Sequence, residues 1–185
     1  FAADGQVVRT PPRPIVRELD SLPRPAWDLV DVERYRRAWQ QKHGYFSMNV
    51  ATTRGCPYHC NWCAKPIYGQ RYAMRSPEDV AIELAHVKRQ YAPDTIWFAD
   101  DIFGLRESWL AAFADMVVEL DAAIPFTVQS RVDLMSPAAV GHLARAGCRE
   151  VWLGVESGSQ RILDAMDKGI TVAQVSEARR RLGAA

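Results

Sequence analysis

The feature that most limits what this chain can fold into is a rhythm. "SPEDVAIELAHVKRQY" opens with Ser76 as an N-cap and Pro77 at the first helical position, and it carries acids in its first turn and Lys88 and Arg89 near its end. "SPAAVGHLARAG" repeats the Ser-Pro opening and closes on Gly147. "ESWLAAFADMVVEL", Ser159 to Met166 and Thr171 to Leu182 are further helical stretches. Between the helices run short β-rich segments: "YFSMNVATT", predicting a strand over Phe46 to Thr52, then "DTIWFADD", "FTVQSRVD" and "EVWLGVES". Strands alternating with helices of this length predict an α/β fold of βα units, with a parallel sheet and right-handed crossovers. Ligands in such sheets sit at the carboxyl ends of the strands, whether the sheet is open or closed as a barrel. The polar clusters fall at those ends: a cysteine loop after the first strand, Asp100 and Asp101 after the second, Ser130, Arg131 and Asp133 after the third, Glu156 and Ser157 after the fourth.

The rest of the chain narrows the class. Its 185 residues fit one ordinary domain or part of one, and 23 Lys+Arg against 22 Asp+Glu leave a net charge of +1, so nothing implies bulk attraction to nucleic acid or an anionic membrane. No apolar run approaches the roughly 20 residues that span a bilayer. No segment reads as a signal peptide. Residues 1–45 read as a Pro- and Arg-rich interdomain linker, "TPPRP" and "LPRPAW" favouring extended structure, followed by a short helix over Asp31 to Lys42 that Gly44 ends. Residues 46–185 carry the βα rhythm.

The chemistry concentrates in "TTRGCPYHCNWCAKPIYG", where Cys56, Cys60 and Cys63 stand as C-x3-C-x2-C with no fourth cysteine nearby. A secreted disulfide scaffold spreads its cysteines along the chain, so a reducing cytoplasm and metal binding fit better. One reading is a structural zinc site completed by His59 or a distant group, although zinc knuckles pair C-x2-4-C with a second, separated pair that is missing here. Cys148 lies at the entry to the fourth strand, the opposite end of the sheet, and reads as a core residue. The other reading is an iron–sulfur cluster. Four thiolates are the rule for electron-transfer clusters, so three leave one iron open to a substrate.

The loop, with Trp62 just before its last cysteine, resembles the radical S-adenosylmethionine (SAM) enzymes. "FADDIFG", "GVESGSQRILDAMDKG" and the linker-like "LDSLPRPAWDLVD" resemble the branch that often carries an upstream cobalamin-binding domain. The resemblance implies a (β/α)6 partial barrel of the TIM type, of which the four strands here would be the first four. It implies a 4Fe–4S cluster on Cys56, Cys60 and Cys63, SAM on the open iron, and reductive cleavage to a 5′-deoxyadenosyl radical for C–H functionalisation, with cobalamin-dependent methyl transfer foremost. It also implies a small-molecule substrate and a one-electron donor such as flavodoxin or ferredoxin. The alternative is a non-catalytic iron–sulfur electron-transfer or structural zinc-binding module.

By the same resemblance Trp62 packs near the adenine, or else only shields the cluster. Ala99-Asp100-Asp101 replaces the family's Gly-Gly-Glu-like run, keeping acids that can meet the SAM amino group or else a following helix N-terminus. Ser130 and Arg131 contact the SAM carboxylate or ribose, the alternative for Arg131 being a salt bridge to Glu156 or Asp133. Glu156 and Ser157 bind the ribose hydroxyls or cap a helix, and Gly154 and Gly158 allow close backbone approach to a ligand. Lys65, Tyr68, Arg71 and Tyr72 either face substrate or cover the cluster as loop residues. His86 and His142 take no role.

The rhythm stops at "RRRLGAA", where a glycine-ended helix and the resemblance lead one to expect two further βα units and the cobalamin domain outside these 185 residues. Replacement of Cys56, Cys60 or Cys63 by Ala is expected to abolish iron and SAM cleavage together, whereas Cys148→Ala retains full iron content. Iron analysis of the four variants decides the ligand set: an indispensable Cys148 would overturn it.

Overall fold

The computed structural model describes residues 2–3, 5–11, 14–64 and 70–185; Lys65 and Tyr68 lie outside them. Four parallel strands, β1 (Ser47–Val50), β2 (Thr95–Phe98), β3 (Phe126–Ser130) and β4 (Cys148–Leu153), pair in the order 1-2-3-4. The helices are α1 (Val32–His43), α2 (Pro77–Tyr91), α3 (Glu107–Glu119), α4 (Pro137–Ala146), α5 (Gln160–Ala165) and α6 (Val172–Ala184). Their starts follow the local chemistry. The Asp31, Ser76 and Ser136 side chains accept the N3 amides of Arg34, Asp79 and Ala139, and Thr171 forms a capping box with Gln174. Gly44 and Gly147 end α1 and α4 in the left-handed region. Gly183, in contrast, lies inside α6, which continues to Ala184.

One face of the sheet is the core. Met48, Val50, Ile96, Phe98, Phe126 and Val128 bury themselves against α2, α3 and α4 through residues such as Leu84, Leu110, Phe113 and Leu143. Phe98 is its centre, with Phe103, Phe113 and Phe126 at ring distances of 4.8, 6.1 and 5.1 Å. The opposite face carries Asn49, Trp97, Thr127, Gln129, Glu150 and Trp152, none of them buried. This alternation leaves the second face to form a cavity wall. Among the described residues, no helix is long and apolar enough to cross a membrane.

The second half of the N-terminal arm is attached. Leu19 is buried, Asp20 accepts the amide of Ser76 at 2.9 Å, and Arg24 pairs with Asp79 at 2.6 Å. The arm therefore braces the N-terminus of α2, to which its carboxylate also suits the helix dipole.

The strands are shorter than the sequence predicts, and β1 shows why. Beyond Val50 the donors leave the ladder: Thr52 N–H and Oγ1–H and Thr53 N–H go to the carboxylate of Asp100, at 2.7, 2.5 and 2.9 Å. A two-residue antiparallel pair, Thr53–Arg54 with Ala73–Met74, then closes the cysteine loop at its base. Arg75 staples that base. Its amide donates to Thr52 O, its guanidinium to Ala51 O, Asp79 and the buried Glu83, and its carbonyl accepts Trp109 Nε1–H. Such a buried pair specifies geometry more than it adds stability.

Asp100 is 2 % exposed, and burial pushes its carboxyl up to about 6 despite the three donors that favour the anion. The folded protein thus holds this proton more tightly than the unfolded chain, with its ordinary value of 3.8. The resulting stabilisation is complete below pH 3.8 and is lost as pH rises through about 6. Relative to Asp100→Asn, the wild-type protein is expected to lose on the order of 3 kcal/mol between pH 4 and 7, since each unit is about 1.4 kcal/mol. Urea unfolding across that range checks this, and a pH-independent difference between the two proteins would refute it.

Candidate functional site

The loop that leaves β1 does not stay over β1. Asn61 crosses the top of the sheet and caps the end of α5, its amide donating to Met166 O at 3.0 Å and its side chain to Ala165 O at 2.7 Å. The crossing roofs a cavity of about 700 Å³ at the carboxyl ends of the strands, within the usual range for a small-molecule site. Cys56, Cys60 and Cys63 line it together with Trp62, Asp100, Asp101, Ser130, Arg131 and Glu156. Ser157 does not. Its hydroxyl accepts the amide of Ser159 at 3.1 Å in a local turn just before α5, whose N-cap, Ser159, has no side-chain cap bond.

Several of these side chains are committed to the fold. Asp100 is bound to the root of the cysteine loop through Thr52 and Thr53. Ser130 Oγ–H donates to Phe103 O at 2.9 Å and so holds the loop after β2 against β3. That loop turns at Gly104, where φ is +75° and a Cβ would meet Leu110 at 3.1 Å. Arg131 grips Asp133 through Nε and Nη2 at 2.9 and 3.2 Å, so its fork is not presented to a second carboxylate. Arg71 is exposed, and Tyr72 folds back on Met74 with its hydroxyl pushed well above the usual tyrosine range by burial.

The groups that face the cavity form two zones. Trp62 is 52 % exposed over its mouth, with the ammonium of Lys168 5.8 Å from its ring centroid. Lys168, only 6 % exposed, reaches Glu156 at 3.2 Å. Glu156 adopts φ +71°, a strained conformation for a residue with a Cβ, and such strain collects at ligand sites. Gly154 makes room for the pair: a Cβ there would lie 3.3 Å from Glu156 Oε1 and 3.4 Å from Lys168 Nζ. Gly158, by contrast, borders open space. The other zone is aromatic, with Trp97 and Trp152 in edge contact at 4.9 Å.

Lys168, Tyr58, Trp97 and Trp152 were not singled out by sequence reasoning. Lys168 stands in the "MDKG" turn between two positive-φ residues, Asp167 and Gly169, which was the only local signal.

The cysteines are free thiols. No three His, Cys, Asp or Glu side chains among the described residues converge closely enough to clasp one ion. The donor set nevertheless fits an iron–sulfur cluster: three soft thiols ring one cavity mouth, a buried guanidinium stands beside one of them, and no second cysteine pair is near. Cys148, half-buried at the other end of β4, is pushed up to about 12 by its burial, which suits a packing residue and not a ligand.

Comparison with known proteins places this geometry. An uncharacterised methyltransferase of Pyrococcus horikoshii is 31% identical over 179 residues, covering 96% of this chain and 38% of that protein. The anaerobic magnesium-protoporphyrin IX monomethyl ester cyclase of Synechocystis is 27% identical over 184 residues, covering 98% and 36%. The chain thus spans little more than a third of these relatives. Among solved structures, the cobalamin-dependent S-adenosylmethionine radical enzyme OxsB, with aqua-cobalamin and S-adenosylmethionine bound, shares the fold with a TM-score of 0.66 at 22% identity, over 74% of this chain and 22% of its own. The radical S-adenosylmethionine methyltransferase TsrM of Kitasatospora setae does so with a TM-score of 0.67 at 22% identity, over 82% and 29%. The Radical SAM superfamily signature itself runs through residues 50–185, from the end of β1 through α6, and the chain belongs to that superfamily.

Proposed function

We propose that this chain forms the cluster-binding and SAM-binding part of a cobalamin-associated radical SAM methyltransferase. The observation that carries the reading is that Cys56, Cys60 and Cys63 all line one cavity at the carboxyl ends of a parallel sheet, with the remaining cysteine at the far end. These three thiolates would hold a 4Fe–4S cluster. When bound, such a cluster supplies the electron that cleaves the SAM sulfonium, giving methionine and a 5′-deoxyadenosyl radical able to take a hydrogen atom.

The chain's own residues divide the supporting work. Asp100 and Arg75 fix the two ends of the cysteine loop, and Asn61 fixes its middle. Glu156 and Lys168 offer a carboxylate and an ammonium side by side, a pairing complementary to the ribose hydroxyls and to the zwitterionic end of SAM. This moves the cationic role proposed for Arg131 to Lys168. Asp101, exposed at the cavity edge, is the acid available to the SAM amino group, and Trp62 covers the adenine side. Trp97 and Trp152 supply an apolar wall that excludes water from a reactive intermediate.

Methyl transfer is supported by relatives that are methyltransferases of a bacteriochlorophyllide and of a cytidylyl-hydroxyethylphosphonate, and cobalamin dependence by the fold shared with the cobalamin-dependent enzyme OxsB. The substrate is a small molecule. The reductant is a low-potential carrier such as flavodoxin or ferredoxin, and the reduced thiols fit a cytoplasmic setting.

Anaerobic reconstitution of the full-length protein with iron and sulfide, then SAM, dithionite and aqua-cobalamin, is the test. Four irons per chain, 5′-deoxyadenosine, and a methyl group passed to cobalamin with release of S-adenosylhomocysteine are the expected results. Stoichiometric zinc in place of iron, with no SAM consumed, would replace this reading by a structural metal module.

A further inference from the structure

A buried cation beside the cysteine loop points at sulfur. Arg131 Nη1 lies 3.7 Å from Cys60 Sγ, within donor reach of a sulfur acceptor. Every other edge of the guanidinium is occupied. Nε and Nη2 meet the two oxygens of Asp133, Nη2 also donates to Lys168 O at 2.7 Å, and the planar face stacks 3.7 Å over the ring of Tyr58. Arg131 is 6 % exposed, so its charge is screened far less than a surface arginine's.

From this geometry we infer that Arg131 is a positioning residue for the Cys60 thiolate, whose buried charge raises the reduction potential of the cluster that Cys60 helps to hold. The inference rests on the iron–sulfur reading of the three cysteines. An electron added to a cluster increases the negative charge on its sulfurs, and a fixed donor aimed at one of those sulfurs favours the reduced form over the oxidised one. Asp133 does not cancel the effect, because it sits on the opposite edge of the guanidinium and fixes its direction. The thiol is held from its own side as well: Asn61, the next residue, is pinned to Ala165 and Met166, three and two residues before the Lys168 carbonyl that accepts from Arg131. Cation and sulfur are therefore located by one continuous bracket.

The test is the midpoint potential of the reconstituted full-length protein, followed by electron paramagnetic resonance in a dye-mediated titration. Arg131→Gln is expected to keep its cluster and to shift the oxidised-to-reduced ratio at fixed potential at least tenfold toward oxidised, which is 59 mV for a one-electron couple. Arg131→Lys keeps the charge and is expected to recover more than half of that shift. Should Arg131→Gln bind too little iron to titrate, Asp133→Asn, which removes the counter-charge of Arg131, is titrated in its place and is expected to raise the potential; an unchanged potential there overturns the inference. A full cluster at unchanged potential in Arg131→Gln overturns it, as does loss of iron from both Arg131 variants while circular dichroism shows them folded, because the role would then be structural alone. Failure of the wild-type protein to take up a four-iron cluster would be seen first, and would sink the functional reading instead.

Discussion

The carboxylate of Asp100 is the contact on which the site depends. Three donors from Thr52 and Thr53 converge on it in a setting nearly closed to water, so the last residues of β1 are pulled out of the parallel ladder and toward the end of β2. A backbone amide without a partner is costly to bury, and the side chain of a neighbouring strand supplies the partner here. The consequence is directional. The chain must leave the sheet at Thr53, turn back through Ala73 and Met74, and project the intervening cysteines over the strand ends. Arg75 holds the same exit from the other strand of the loop base, through the carbonyls of Ala51 and Thr52.

From this root the loop is carried across the sheet by contacts of long sequence separation. Asn61 reaches α5 over 104 residues, and Arg131 reaches Cys60 over 71. Each contact joins the first βα unit to a later one, so the cavity closes only when all four strands are assembled. The thiols are consequently positioned by the fold and not by the short loop alone. A loop of this length, rich in Gly and Pro and without regular hydrogen bonding between Gly55 and Cys60, could otherwise sample many arrangements.

That division explains what the sequence discloses. The strand–helix order, the Ser76 and Ser136 caps and the position of Cys148 are legible because they rest on local chemistry and period. Strand ends are not, since the loss of Thr52 from β1 depends on a carboxylate from another strand. The cysteine motif and the acids around it stand out by residue type, yet type alone could not say that Asp100, Ser130 and Arg131 are bound to the protein, nor that Lys168 enters the cavity. Lys168 is brought there by the turn between Asp167 and Gly169, both at positive φ, and by the space over Gly154, and neither leaves a periodic trace. Arg131 shows the distinction most sharply. Its salt bridge to Asp133, two residues away, was one of the readable alternatives, while its contact with Cys60 was not.

The open face of the sheet carries residue types that suit two different tasks. Trp97 stands opposite Thr127 in register, and Gln129 opposite Trp152, so the two indoles on β2 and β4 meet across β3 over its narrow Thr127 and flexible Gln129. A larger side chain at Thr127 would part them. Above this aromatic floor stand the ion pair of Glu156 and Lys168 and the three thiols. A charged ligand would meet directional contacts from that pair, and beneath it the two indoles flank Gln129, the one polar residue of this sheet face that lines the cavity. The proposed radical chemistry would use that division. A polar floor would hold water beside a species that abstracts hydrogen, whereas an apolar rim would leave the charged ligand unoriented.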